Sequence, residues 1–199
     1  ATKHYVAMSL GRRHYPHYQH HRHTSPFGYA VYWLRSWVRK AIRWHADHTV
    51  VSRLVRQGSP YFFVPLQSSE DSQIHLHSRF ENIESFIDEI IESFAAHADQ
   101  KVQLLIKQHP MARGGVLFGD YIRRVARTRG VASRVHFVTE AHNPTVLDHC
   151  QGVVLINSTL GLQALARSVP VKALGESFYD LPGLASQQCL ATFWRQPQR

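Results

Sequence analysis

Cysteine is scarce: Cys150 and Cys189 are the only two in 199 residues. Two thiols make neither a disulfide framework nor a Cys-rich zinc site, so a reducing, cytoplasmic setting is the default expectation. Long apolar runs are absent too. None approaches the roughly 18 residues of a membrane-spanning helix. The opening ATKHYVAMSLGRRHY has no apolar signal-peptide core, and it begins without Met, which raises the expectation of a fragment or a processed product. No internal repeat is visible. Acidic residues are outnumbered: 14 Asp and Glu face 23 Lys and Arg, for a formal net charge of +9, and 15 His add charge as the pH falls. This balance points to an anionic partner, whether nucleic acid, anionic lipid or a phosphorylated small molecule. A nucleic-acid partner is not expected, because no nucleic-acid motif accompanies the charge and the basic residues are dispersed.

What remains is an ordinary globular composition, 44% hydrophobic and 19% charged, enough for one sizeable core. Residues 1–57 read as a basic, His-rich and helical linker segment. Within it, residues 29–57 carry apolar residues at helical spacing and read as one or two amphipathic helices closed by Gly58-Ser59-Pro60. The basic positions of this helix, Arg35 to Arg56, suit either an anionic lipid surface or a solvated face packed beside a sheet. The earlier HYPHYQHHRH (14–23) has no regular pair of His ligands and no Cys, so no metal site is expected there.

After Pro60 short apolar runs alternate with helical stretches. The runs are FFVPL (62–66), VQLLIK (102–107), RVHFV (134–138), GVVLIN (152–157) and PVKAL (170–174). Helices are expected near 81–98, 119–129, 144–150 and 159–167. This alternation predicts an α/β, Rossmann-like domain over residues 58–199, a parallel sheet with helices on both faces. Near-continuous apolar strands fit burial on both sides. In such sheets the ligand crevice lies beyond the carboxyl ends of the strands. There the sequence gathers polar groups: Gln67 and Asp71 after the first run, Lys107 and His109 after the second, Asn157, Ser158 and Thr159 after the fourth, Glu176, Tyr179 and Asp180 after the fifth.

Each group has two readings. INSTLGLQAL (156–165) is a strand, a Ser-Thr turn and a helix. Its N–H groups suit a phosphate, with Gly161 letting a ligand approach, or Ser158 and Thr159 are ordinary helix caps. His109, before Pro110, is a phosphate donor or general acid, or a structural strand-end histidine. Of the two carboxylates in QSSED (67–71), Asp71 is preferred to Glu70 as a base, nucleophile or hydroxyl acceptor, because ordered structure resumes directly after it.

Four motifs stand here in order: PLQxxxDSQI, IKxHP, NSTxGLxAL and PVKxLGxxxYDLPGL. Together they resemble the capsule polysaccharide biosynthesis family of Gram-negative bacteria, of the KpsS/KpsC (LipB) type of retaining β-Kdo glycosyltransferase. The resemblance covers about residues 14–197. It implies the donor-binding half of a GT-B glycosyltransferase that takes CMP-β-Kdo, uses a lipid-linked acceptor, needs no cofactor, and works at the inner membrane beside a capsule assembly complex. It also implies double displacement, with Asp71 as nucleophile, His109 assisting the leaving phosphate or positioning the donor, Gln67, Lys107, Asn157 and Gly161 on the donor, Ser158 and Thr159 on the CMP phosphate, and Glu176, Tyr179 and Asp180 on the nucleotide or sugar. Two departures are visible. Only one Rossmann-like domain is present, so a C-terminal fragment of a longer chain is expected. In HSRF (77–80), Arg79 stands where the family pattern leads one to expect proline. The alternative is a non-catalytic nucleotide- or polyanion-binding module of a capsule assembly complex.

Overall fold

The computed structural model describes residues 26–198. The His-rich segment 14–23 lies outside the described residues. One helix, α1 (Pro26–Arg56, 31 residues), opens the described part, where the sequence allowed one or two. It ends where Gly58 takes φ +59, a left-handed turn that favours glycine. Arg53 and Arg56 in its last turn complement the negative end of the helix dipole.

Five strands follow: β1 (Tyr61–Pro65), β2 (Gln103–Lys107), β3 (Val135–Val138), β4 (Gly152–Leu155) and β5 (Val171–Ala173). All pair in parallel, in the order β3-β2-β1-β4-β5. The Rossmann-like expectation holds for this sheet. Between the strands lie α2 (Ser72–Leu76), α3 (Ile83–His97), α4 (Gly119–Thr128), α5 (Asn143–His149) and α6 (Leu160–Leu165), and α7 (Leu190–Phe193) closes the fold. The short α2 and α7 are absent from the sequence reading, because neither is long enough to display a helical period.

α3 is the best specified of these. Asn82 caps it through Oδ1, which accepts from Ser85 N at 2.8 Å. Its buried stripe is Ile83, Phe86, Ile87, Ile90, Ile91 and Phe94. Burying six such side chains contributes on the order of 10 kcal/mol before chain entropy is counted. Ile90→Asp would place an unpaired carboxylate in that stripe and break the packing.

Side-chain alternation along the strands divides the core in two. Phe62, Val64, Leu104, Ile106 and Val154 face α3, α4 and α7. Tyr61, Phe63, Leu105, Val153 and Leu155 face α5, α6 and the last turns of α1, through Val51 and Leu54. Helices therefore cover both faces, and α1 is built into the second of them. The chain runs outward from β1 to β3, then returns to lay β4 on the other side of β1. That reversal puts the crevice between the carboxyl ends of β1 and β4.

Candidate functional site

Register sets the site. Pro65 pairs with Lys107, and Lys107 with Val138, so the loops after β1, β2 and β3 leave the sheet side by side. At the reversal, the loops after β1 and β4 are joined by one buried amide. Gln67 donates from Nε2 to Asp71 Oδ2 at 3.1 Å and to Asn157 Oδ1 at 2.9 Å, and its Oε1 accepts from Asn157 N at 3.2 Å. Asn157 then donates from Nδ2 to the carbonyls of Gln73 and His77. Gln67 and Asn157 were expected to touch the donor. Both amides bond to protein groups, and they position Asp71.

Asp71 stands half-buried at the head of α2. Its Oδ1 accepts from Gln73 N at 3.1 Å, so the carboxylate caps that helix while Gln67 holds the other oxygen. Glu70 is exposed on the neighbouring turn.

His109 caps a turn of 3-10 helix at Pro110–Ala112. Its Nδ1 accepts from Met111 N at 3.2 Å, so the neutral ring carries its proton on Nε2. Burial pushes the imidazole below its ordinary value of 6.5, Asp71 pulls it part of the way back, and Lys107 opposes that. At neutral pH His109 is therefore an uncharged Nε2–H donor within electrostatic reach of Asp71. Either expected role, phosphate donor or general acid, would use this Nε2 proton.

Lys107 is only 7% exposed. Its Nζ donates to Ala141 O at 2.8 Å and to Asn143 Oδ1. Burial, with Arg113 nearby, lowers its pKa to about 8. The ammonium ties β2 to the loop before α5. Both of these hydrogen bonds go to protein groups.

The turn before α6 also departs from expectation. Ser158 Oγ, not Thr159, accepts the first free N–H, that of Leu160, at 3.3 Å. The next two N–H groups, of Gly161 and Leu162, bond back to Ser158 O and Thr159 O. Thr159 is exposed. Gly161 lies against the Tyr179 ring. A Cβ there would lie 2.6 Å from Cζ and Oη of Tyr179. Tyr179, expected to line the nucleotide, is 1% exposed, and its hydroxyl donates to Ser158 O at 2.5 Å. Burial raises its pKa to about 12. Its ring fills the space above Gly161 and fixes the Ser158 turn.

Glu176 and Asp180 do reach open space. With Ser78, Arg79, Lys172 and Gly175 they line a cavity of about 470 Å³ at the end of β5. An antiparallel bridge between Ser78 and Gly175 joins this cavity to the loop after α2. Glu176 meets His77 Nδ1 at 3.3 Å, and Asp180 accepts from Gln187 Nε2 at 3.0 Å. Arg79 makes a two-pronged contact with Glu89 on α3 and lies over Phe80. Where the family pattern suggests proline, this chain thus has a guanidinium that pins the loop to α3.

Sequence reasoning missed the supports supplied by α1. Asp47, buried, accepts at Oδ2 from Thr139 N at 2.8 Å, Thr139 Oγ1 at 2.6 Å and Glu140 N at 3.0 Å. Arg39 Nη1 donates to the carbonyls of Arg113 and Gly115, both at 2.6 Å. Tyr32 donates to Met111 O, and Arg113 pairs with Glu140. These contacts hold the loop that carries His109. A signal existed for one of them: Asp47 is the first acidic residue of the chain, alone in a basic helix.

Comparison with known proteins agrees in kind. A family model described as "Capsule polysaccharide biosynthesis protein" matches residues 1–199. LipB of Neisseria meningitidis, a capsule polysaccharide modification protein, is 36% identical over 99% of this chain and 48% of its own length. KpsS of Escherichia coli, a capsule polysaccharide export protein, is 36% identical over 96% of this chain and 50% of its own. The chain spans about half the length of the curated relatives it matches. Among solved structures, Thermosulfurimonas dismutans KpsC, a β-Kdo 2,7 transferase, aligns with a TM-score of 0.49 at 18% identity, covering 75% of this chain and 47% of that one. Anabaena HepE, solved with UDP and glucose, aligns with a TM-score of 0.43 at 15% identity, covering 62% of this chain and 32% of that one.

Proposed function

Because the chain belongs to the capsule polysaccharide biosynthesis protein family, we propose that it is the donor-binding half of a GT-B glycosyltransferase that moves β-Kdo from CMP-β-Kdo to a lipid-linked acceptor with retention. The observation that carries this reading is the placement of Asp71. A carboxylate held in place by Gln67 and by Gln73 N stands at the reversal of the sheet, with His109 in electrostatic reach.

In this reading the Asp71 carboxylate attacks the anomeric carbon of the sugar. The bond from that carbon to the CMP phosphate breaks, and its electron pair leaves with CMP. The neutral Nε2–H of His109 donates a hydrogen bond to the departing phosphate, which lowers the barrier without a full proton transfer. The acceptor hydroxyl then attacks the same carbon from the other face, its proton passes to water, and the bond from Asp71 to that carbon breaks to free the carboxylate. Two inversions give retention. Thr159, the exposed hydroxyl of the next loop, takes a phosphate oxygen, and Glu176 and Asp180 take hydroxyls of the nucleotide or sugar. No cofactor is needed. The partners are the donor, the acceptor and the remainder of a capsule assembly complex at the inner membrane.

Calorimetry with CMP tests donor binding. His109→Ala is expected to weaken CMP about tenfold, the effect of losing one hydrogen bond to a charged group. Unchanged affinity in a folded variant would remove His109 from the site. One observation favours a second reading, a nucleotide-binding module without catalysis: both Asp71 oxygens are already engaged by the protein, Oδ1 capping α2 and Oδ2 held by Gln67. That reading allows CMP binding and excludes any sugar–protein bond.

A further inference from the structure

The outer side of α1 carries apolar side chains that nothing described covers. Phe27, Val31, Leu34, Trp37, Val38, Ile42 and Trp44 are all exposed, Trp37 by 71% and Ile42 by 73%. At 100° per residue Phe27, Val31, Leu34, Val38 and Ile42 form one stripe opposite the side that Ser36, Asp47 and Leu54 turn inward, and Trp37 and Trp44 lie on its flank towards Val51. The stripe runs for about 26 Å at 1.5 Å per residue. It stops at His45, beyond which the outer positions are His48, Thr49, Ser52 and Arg53. Two indoles seven residues apart, Trp37 and Trp44, share one flank.

Charge indicates what meets the stripe. Residues 1–46 contain no Asp or Glu and eight Lys or Arg, so eight of the nine net positive charges of the chain fall there. Arg39 and Arg43 are turned inward, to the carbonyls of Arg113 and Gly115 and to Asp47. Arg35 and Lys40 are exposed beside the stripe. No described helix is long and apolar enough to cross a membrane. An apolar, Trp-bearing face flanked only by cations matches a surface that is apolar within and anionic at its headgroups. We propose that α1 docks the protein onto an anionic lipid bilayer, lying flat with Leu34, Trp37, Val38 and Ile42 among the upper acyl chains and Arg35 and Lys40 at the headgroups. The docking is separate from sugar transfer and does not depend on Asp71. It would hold the crevice close to an acceptor that is itself anchored in the membrane.

The test is sedimentation of the full chain with vesicles. One set is phosphatidylcholine with about a third phosphatidylglycerol, the other phosphatidylcholine alone. The expected result is binding at least tenfold tighter to the anionic set, lost at high salt, with a blue shift of Trp emission. Trp37→Ser/Ile42→Ser and, separately, Arg35→Glu/Lys40→Glu are each expected to weaken binding tenfold or more. These positions are exposed, so thermal unfolding should stay unchanged, and CMP affinity should be kept. Equal binding to both vesicle sets, or none to either, would overturn the proposal. So would self-association abolished by Trp37→Ser, which would make the face an interface between copies. Protection of Trp37 from an aqueous quencher without lipid, in a longer polypeptide carrying this segment, would assign the face to the rest of that polypeptide and overturn it equally.

Discussion

Gly161→Ala separates two explanations of one glycine. The added methyl would sit 2.6 Å from two atoms of the Tyr179 ring. Carbon atoms pack at about 3.5–4.0 Å, so the ring must retreat by about 1 Å. It has little room, being 1% exposed, and its hydroxyl is committed to Ser158 O at 2.5 Å. Overpacking of this kind costs about 1–3 kcal/mol, and losing the hydrogen bond adds about 1 kcal/mol. Alanine returns up to about 1 kcal/mol through its better helix propensity. The net loss is about 2 kcal/mol, which for a chain of this size lowers Tm by roughly 4–8 °C. Thermal unfolding followed by circular dichroism reads it directly. Tyr179→Phe should cost about 1 kcal/mol alone. Gly161→Ala/Tyr179→Leu should recover part of the packing loss. An unchanged Tm for Gly161→Ala together with lost CMP affinity would refute the reasoning and return the glycine to the ligand.

Asp47→Ala should destabilise by about 3–5 kcal/mol, since three buried donors lose their acceptor; urea unfolding measures it, and a loss below 1 kcal/mol would mean that the cap is dispensable. Gln67→Leu leaves Asp71 Oδ2 and Asn157 without their amide and should cost about 2–3 kcal/mol. It should also depress sugar transfer far more than CMP binding, a split visible in parallel calorimetry and turnover assays. Acid should weaken the fold in a defined window. Burial holds His109 and His136 below their ordinary 6.5. The unfolded chain therefore binds these protons more readily, so stability is complete above pH 6.5 and declines as the pH falls through the folded values. The urea midpoint should be higher at pH 7.5 than at pH 5, and His109→Gln/His136→Gln should flatten the difference.

The sheet was legible because each strand is an apolar run bounded by turn residues, and because α3 repeats its apolar side chains at helical spacing. The edge that carries the polar groups followed from strand direction alone. What the sequence could not convey is where each polar side chain spends its hydrogen bonds. Gln67, Lys107, Asn157 and Tyr179 all sit at the expected edge, yet they bond to protein groups. A residue's type and place along the chain do not separate a group that touches a ligand from one that holds its neighbour. α1 was harder still. Before its last turns its inward side is polar, with Arg39 and Asp47 reaching loops more than seventy residues away, so hydrophobic periodicity does not mark that part as belonging to the site.

The central claim is that Asp71 forms a bond to the sugar. Intact-mass spectrometry of the protein after incubation with CMP-β-Kdo, followed by peptide mapping, tests it without any acceptor. The expected result is one added Kdo residue, carried by the peptide that contains Asp71, and no addition in Asp71→Asn, whose amide still caps α2 and keeps CMP affinity. An adduct on Glu70, or the same adduct in Asp71→Asn, would contradict the assignment. Full CMP binding with no adduct at all would leave a nucleotide-binding module in place of the enzyme.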